Sequence, residues 1–189
     1  AEYSTWGAWA MGSPDISPNA GDQNAAVHLG FWVAGDMLDQ SEIPTSGSAS
    51  MSGKAVFNVA YRYNQANSDY GVKQYSGHAT VNGSFNWGSG SYSGQLDFTN
   101  FDSGNSLVSN AGFTSFSVSL AGSGATYAGS LNDTNNGWTR EAVIAGALYG
   151  NNTPVESGGR ISVGLSKSGS LGTSGANDFY MAEGIYLID

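Results

Sequence analysis

Residues equipped for chemistry are few in this chain. There are two histidines, His28 and His78, and no cysteine. Histidine is a ready ligand for zinc or haem iron. Each of the two, however, stands without a second His, Cys or carboxylate at ligand spacing. Each also falls on the polar or lesser side of an alternating stretch. The favoured reading is a surface or hydrogen-bonded imidazole at both positions, with a haem or metal role the weaker alternative. A haem site would need an apolar pocket as well, and the Tyr and Trp side chains of residues 1–35 are able to line one. The absence of cysteine excludes disulfides, thiolate metal sites and thiol nucleophiles.

Other constellations carry less. Serine is abundant, but the nucleophile-elbow pattern is present only in truncated form at Gly122-Ser123-Gly124. Asp36 and Asp39 are three residues apart and would share a helical face, a spacing that more often caps a helix start than performs acid–base work. Asp133 lies among Asn132, Asn135 and Asn136, an oxygen-rich stretch that lacks the regular Asp spacing and bidentate Glu of a calcium loop; turn chemistry is the expectation. No catalytic residue is assigned, no cofactor is expected, and the chain reads as non-enzymatic.

Composition narrows the partners. Only 11% of the 189 residues are charged, against roughly 25% in an ordinary soluble domain. Small neutral polar residues take their place, as is common in secreted and surface-exposed β proteins. The net charge of −9 repels phosphate backbones and anionic lipid, so nucleic acid is excluded as a partner. No apolar run reaches the ~18–20 residues of a membrane helix. The chain starts Ala-Glu-Tyr, without a leader or an initiating Met. The expectation is a processed form, extracellular or at the cell surface after signal-peptide removal.

The elements that must position these residues are strands. Residues 1–50 form an aromatic-rich extension: Tyr3 to Met11 reads as a strand around Trp6-Gly7-Ala8-Trp9, residues 12–26 as a loop, and Val27 to Gly35 as a second strand. Asp36 to Ile43 is expected to make one helical turn or two, ended by Pro44. From residue 51 to 189 eight segments of period two follow: Ser52–Tyr63, Tyr75–Trp87, Tyr92–Phe101, Phe113–Leu120, Ala125–Leu131, Trp138–Tyr149, Gly159–Ser166 and Phe179–Ile188. Short Gly/Asn/Ser connections join most of them, which predicts an antiparallel meander. Eight such strands remove their edges by closing, so the expected fold is all-β, an eight-stranded antiparallel up-and-down barrel with an N-terminal extension. The eighth segment is apolar on both faces, with Tyr180 and Tyr186 on one and Met181 and Ile185 on the other. One face needs a cover, from the extension or from a partner subunit.

The order of short motifs resembles the transferrin-binding-protein-B-like β-barrel domains of bacterial surface lipoproteins and secreted proteins. The matching pieces are Trp6-Gly7-Ala8-Trp9, Trp32-Val33-Ala34-Gly35, Ile43-Pro44-Thr45-Ser46-Gly47, Ala49-Ser50-Met51-Ser52-Gly53, Gly83-Ser84-Phe85 and Leu96-Asp97-Phe98. Ile144 to Gly150 with Val155-Glu156-Ser157-Gly158-Gly159 is similar to that family's Gly-x-Phe-Tyr-Gly-Pro and Glu-x-Gly-Gly hairpin, with Leu148 for the Phe and Pro displaced to Pro154. The resemblance implies an extracytoplasmic barrel that binds and does not catalyse; members bind host iron carriers, complement regulators or haem. It implies a structural part for Gly146, Gly150, Glu156, Gly158 and Gly159. The lipidated Cys of the lipoprotein members has no counterpart here, which points to a freely secreted form.

Two functions of different class stay open at this point. One, slightly preferred, is a self-assembling subunit of an extracellular filament or surface structure, with Tyr3, Trp6, Trp9, Phe31, Trp32, Tyr180 and Tyr186 as the candidate interface. The other is a ligand-binding module for haem, an iron carrier or a host protein. The partner is therefore either a second copy or another protein.

Overall fold

Strands in which glycine faces an aromatic side chain on the next strand curl readily, because the ring fills the space a side chain would have taken. In the computed structural model, which describes residues 2–13, 26–64, 70–171 and 176–189, this curl runs to closure. Ten strands form: β1 (Ser4–Ser13), β2 (Ala26–Gly35), β3 (Ser48–Asn64), β4 (Tyr70–Gly88), β5 (Ser91–Thr99), β6 (Phe116–Ser123), β7 (Thr126–Asn135), β8 (Trp138–Gly150), β9 (Pro154–Leu171) and β10 (Ala176–Ile188). One short helix, α1 (Ser106–Asn110), lies between β5 and β6. Strands β3 to β10 make a closed barrel in chain order, with every neighbour antiparallel. The seam joins β10 to β3, from Tyr180 opposite Tyr61 to Ile188 opposite Gly53. The expected eight-stranded meander is thus the observed one.

Alternation decides what lies inside. Phe57, Val81, Phe85, Leu96, Phe98, Val118, Ile144, Ile161 and Leu165 are buried in the interior. The turns follow local backbone needs. Asn136-Gly137 has φ of 52° and 78°, the paired left-handed geometry of a tight hairpin.

Residues 100–115 close one end of the barrel. Phe101, Val108, Ala111 and Phe113 are fully buried there, with Phe113 stacked on Phe116 at 4.1 Å and Phe101 on Phe57 at 4.6 Å. Asn105 caps α1, accepting a hydrogen bond from the Leu107 N–H at 2.8 Å. Here the structure corrects the expected fourth strand. Phe113 belongs to the plug, and the strand starts three residues later at Phe116. Asp36 to Ile43 also differs. Only Gln40–Glu42 turns, as a single 3-10 turn, while Asp36 is extended and bonds Tyr3 and Gly150 through its backbone. Asp36 and Asp39 therefore do not share a helix face.

β1 and β2 form a separate two-stranded antiparallel sheet, paired from Ser4 opposite Gly35 to Ser13 opposite Ala26. It lies on the outer wall of the barrel, with β2 over β10 and β9 and β1 over β9. It supplies the cover that the two-faced last strand requires: Ile185, on the outer face of β10, is only 5% exposed.

A candidate binding cleft between the hairpin and the barrel wall

The β1–β2 hairpin is bolted at its base. The Glu156 carboxylate, 2% exposed, accepts hydrogen bonds from the backbone N–H of Glu2, from the Tyr3 N–H at 3.0 Å and from the Ser4 hydroxyl. Burial alone would push this carboxyl up. The Ser4 hydroxyl and the two backbone N–H groups outweigh it and hold the group below the usual carboxylate range. Beside this clamp the chain leaving β2 runs along the end of β8. The Asp36 N–H donates to the Tyr3 carbonyl at 2.9 Å, the Gly150 N–H to the Asp36 carbonyl at 3.2 Å, and the Leu38 N–H to the Leu148 carbonyl at 3.3 Å. The Asn152 N–H donates to Glu42 at 3.1 Å.

This assigns physical roles to the five hairpin residues singled out in the sequence. Glu156 is the clamp. Gly150 sits at the irregularity where β8 gives way to the turn. A Cβ on Gly158 would lie 3.1 Å from Val33 of β2, so glycine there lets the hairpin approach the wall. Gly159 and Gly146 face each other across β8 and β9, and side chains on them would collide with backbone and with the Tyr127 and Tyr186 hydroxyls.

Further along, the hairpin overhangs the wall and leaves a cleft of about 1110 Å³. Gly30 and Phe31 form its roof, and Trp9 borders it. Its floor crosses several barrel strands, with Val143 from β8, Arg160 and Ser162 from β9, Met181, Glu183 and Ile185 from β10, Asn58 and Ala60 from β3, and Gln74 from β4. Met181 and Val143 are each 52% exposed, an unusual degree for apolar side chains on a barrel wall.

The candidate interface residues separate into two groups. Opposed residues of β1 and β2 share a face. Phe31 and Val33, both half-buried, therefore turn toward the barrel, and Trp9 and Trp32 turn away from it. Each of these two indoles lies across a glycine of the opposite strand: Trp32 across Gly7 and Trp9 across Gly30. Trp6, Trp9 and Trp32 remain about half exposed, at 50%, 51% and 45%. Tyr3 is half-buried at the clamp. Tyr180 and Tyr186 do not belong to this surface. Both point into the barrel, at 0% and 1% exposure. Tyr180 donates to Asp102 at 2.9 Å, and Tyr186 donates to the Tyr127 hydroxyl at 2.7 Å, which meets Ser157 Oγ at 2.5 Å. Period two placed them correctly on one face; only the pairing shows that this face is the inner one.

Among the described residues, the other chemistry-bearing side chains do not converge. His78 is exposed on β4 opposite Val56. The side chain of His28 lies outside the described residues. The turn expected around Asp133 is confined to Asn136-Gly137: Asp133 lies on β7 opposite Arg140, which holds it through two hydrogen bonds of 2.6 Å and keeps its carboxyl below the ordinary range. Arg140 also donates to the Ala111 and Gly112 carbonyls at 3.3 and 3.0 Å and sits over the Phe113 ring, so this pair ties the β7–β8 hairpin to the plug. Ser123 ends β6, with its hydroxyl 3.5 Å from the Gly90 carbonyl. Among the described residues no three of His, Cys, Asp and Glu come together to hold a metal, and no helix is long and apolar enough to cross a membrane.

Comparison with known proteins gives a likeness in structure only. No protein family matches the sequence, and no curated protein does. Among solved structures, a double mutant of the vaccine antigen Transferrin Binding Protein B from Haemophilus parasuis is 14% identical, with a TM-score of 0.46, covering 100% of this chain and 33% of that one. A single mutant of the same antigen gives 15% identity and a TM-score of 0.40, covering 99% and 33%. The chain spans about a third of the length of those structures. At these values the likeness assigns neither a family nor a ligand, and the barrel rests on its own strand pairings.

Proposed function

We propose that this protein is a non-enzymatic binding module, secreted or exposed at the cell surface, that holds its ligand between the β1–β2 hairpin and the barrel wall. The observation that carries this reading is the cleft itself. A hairpin clamped at one end overhangs exposed apolar side chains on a wall that also carries Arg160, Glu183 and neutral polar groups, which is the concave, mixed surface that ligand sites present. The alternative of a self-assembling subunit loses two of its seven candidate contacts, Tyr180 and Tyr186, to the barrel interior.

The reading is tested by binding titration followed through tryptophan emission, to which Trp9 at the edge of the cleft contributes. Hemin and fractionated host serum are added to the wild-type protein and to a Phe31→Asp/Met181→Asp variant. Binding to the wild type that shifts tryptophan emission, and that weakens at least tenfold in the variant, supports the cleft. A ligand held equally by both proteins would place binding elsewhere. A Soret shift with hemin would identify haem as the ligand.

A further inference from the structure

The barrel closes its sheet from β3 round to β10, with residues 70–79 of β4 and 130–135 of β7 among the stretches that lack a partner on one side, whereas the hairpin leaves an edge open along its full length. β2 is paired on one side only, with β1, and among the described residues no strand occupies its other edge. Natural edge strands are normally blunted by Lys, Pro, a bulge or short length. β2 is ten residues long, AVHLGFWVAG, in regular register, with no Lys, Arg, Asp, Glu or Pro. In a chain of net charge −9, that neutral edge is one that an incoming backbone can approach without burying a charge.

The space beside the edge points the same way. β2 lies over β10, and β3 and β4 follow β10 around the barrel, so the outer edge of β2 looks across the wall toward β3 and β4. Gly30 and Phe31 of β2 border the cleft, and Asn58, Ala60 and Gln74 of β3 and β4 form its floor on that side. The open edge and the cleft are thus continuous. Resting on the binding-module reading above, we infer that the ligand is an extended segment of another polypeptide, added as a strand to the outer edge of β2. Its backbone pairs with β2, and its alternate side chains drop toward Ala60, Gln74 and Met181. Main-chain bonds supply the affinity and the cleft floor supplies the choice of side chains. The expected partner segment is neutral and alternates small polar with apolar residues, with no proline through at least six residues.

The test is a display selection of random ten-residue peptides on the full chain. The best peptide is then resynthesised with backbone N-methyl groups on alternate residues, in two registers. One register places the methyls on the edge facing β2 and the other leaves that edge free. Strand addition predicts a loss of binding of at least tenfold in one register and little change in the other. Equal tolerance of both registers, enrichment of charged or proline-rich sequences, or no enrichment overturns it. So does a concentration-dependent dimer that excludes the peptide, because the edge would then belong to a second copy. A Met181→Asp variant separates the two claims. Register-dependent binding that ignores this substitution keeps strand addition and removes the cleft. Serum binding that is sensitive to it, without register dependence, keeps the cleft and removes strand addition.

Discussion

Glu156 shows how one buried carboxylate positions a whole element. Its three hydrogen bonds go to consecutive residues at the start of β1, so a Glu156→Ala substitution leaves two backbone donors and a hydroxyl without a partner. Losing such bonds costs about 1–3 kcal/mol. The expected outcome is faster amide exchange across residues 2–13, with exchange in β5 and β6 unchanged. The pH dependence has a definite sign. Because the folded carboxyl titrates below its ordinary value of 4.5, the clamp contributes fully above that value and is lost as pH falls below it. Tryptophan emission from the hairpin should therefore change in mild acid, before far-ultraviolet dichroism from the barrel does. The inner tyrosines act in the opposite direction. Burial raises Tyr127 to about 12, despite hydrogen bonds with Ser157 and Tyr186 that lower it. Folding keeps it neutral, so that stability is complete below pH ~10 and is lost as pH rises toward 12. Titration by phenolate absorbance should show a late, cooperative group of tyrosines.

At the scale of elements, the strands were legible where a clean alternation met a local turn signal. Gly83, Phe85 and Trp87 against Ser84 and Asn86 fix β4, and Asn136-Gly137 fixes the β7–β8 hairpin. The plug was not legible, because Phe113 and Phe116 are three apart and both apolar, and either suits a strand start. Asn105 before Ser106-Leu107-Val108 was the one available sign of a helix. The cleft was equally hidden. Met181 and Val143 are exposed because of where the hairpin stops touching the wall, which no periodicity records. Glu156 did carry a signal, as a lone carboxylate among Val155, Ser157, Gly158 and Gly159. Close approach of β8 and β9 rests on Gly159, whose Cβ position is occupied by the Ala145 carbonyl and the Gly146 backbone. A Gly159→Ala substitution is expected to cost about 1–3 kcal/mol through forced displacement of that backbone, read as a fall in the denaturation midpoint at an unchanged slope.

For the molecule as a whole, the hairpin and the barrel depend on each other unequally. Deleting residues 1–35 removes β1 and β2 but keeps Leu38, which is 4% exposed in the barrel core. The barrel is expected to fold in this variant, with its far-ultraviolet dichroism per residue retained. The newly bared Ile185 face should bind more hydrophobic dye than the full chain does. Loss of the barrel signal would show instead that the extension is integral to the fold.

The seam between β10 and β3 sets an order in time as well as in space. Ser52 and Asp189 exchange backbone hydrogen bonds of 2.9 and 3.0 Å, 137 residues apart in the chain. The last strand zips onto the first barrel strand, so no intermediate lacking the C-terminal residues can shut. Until then, β3 must wait with an open edge and an unfilled side of the core. The barrel closes only once β10 is available to pair with β3, and a chain truncated before β10 should remain sensitive to protease along β3.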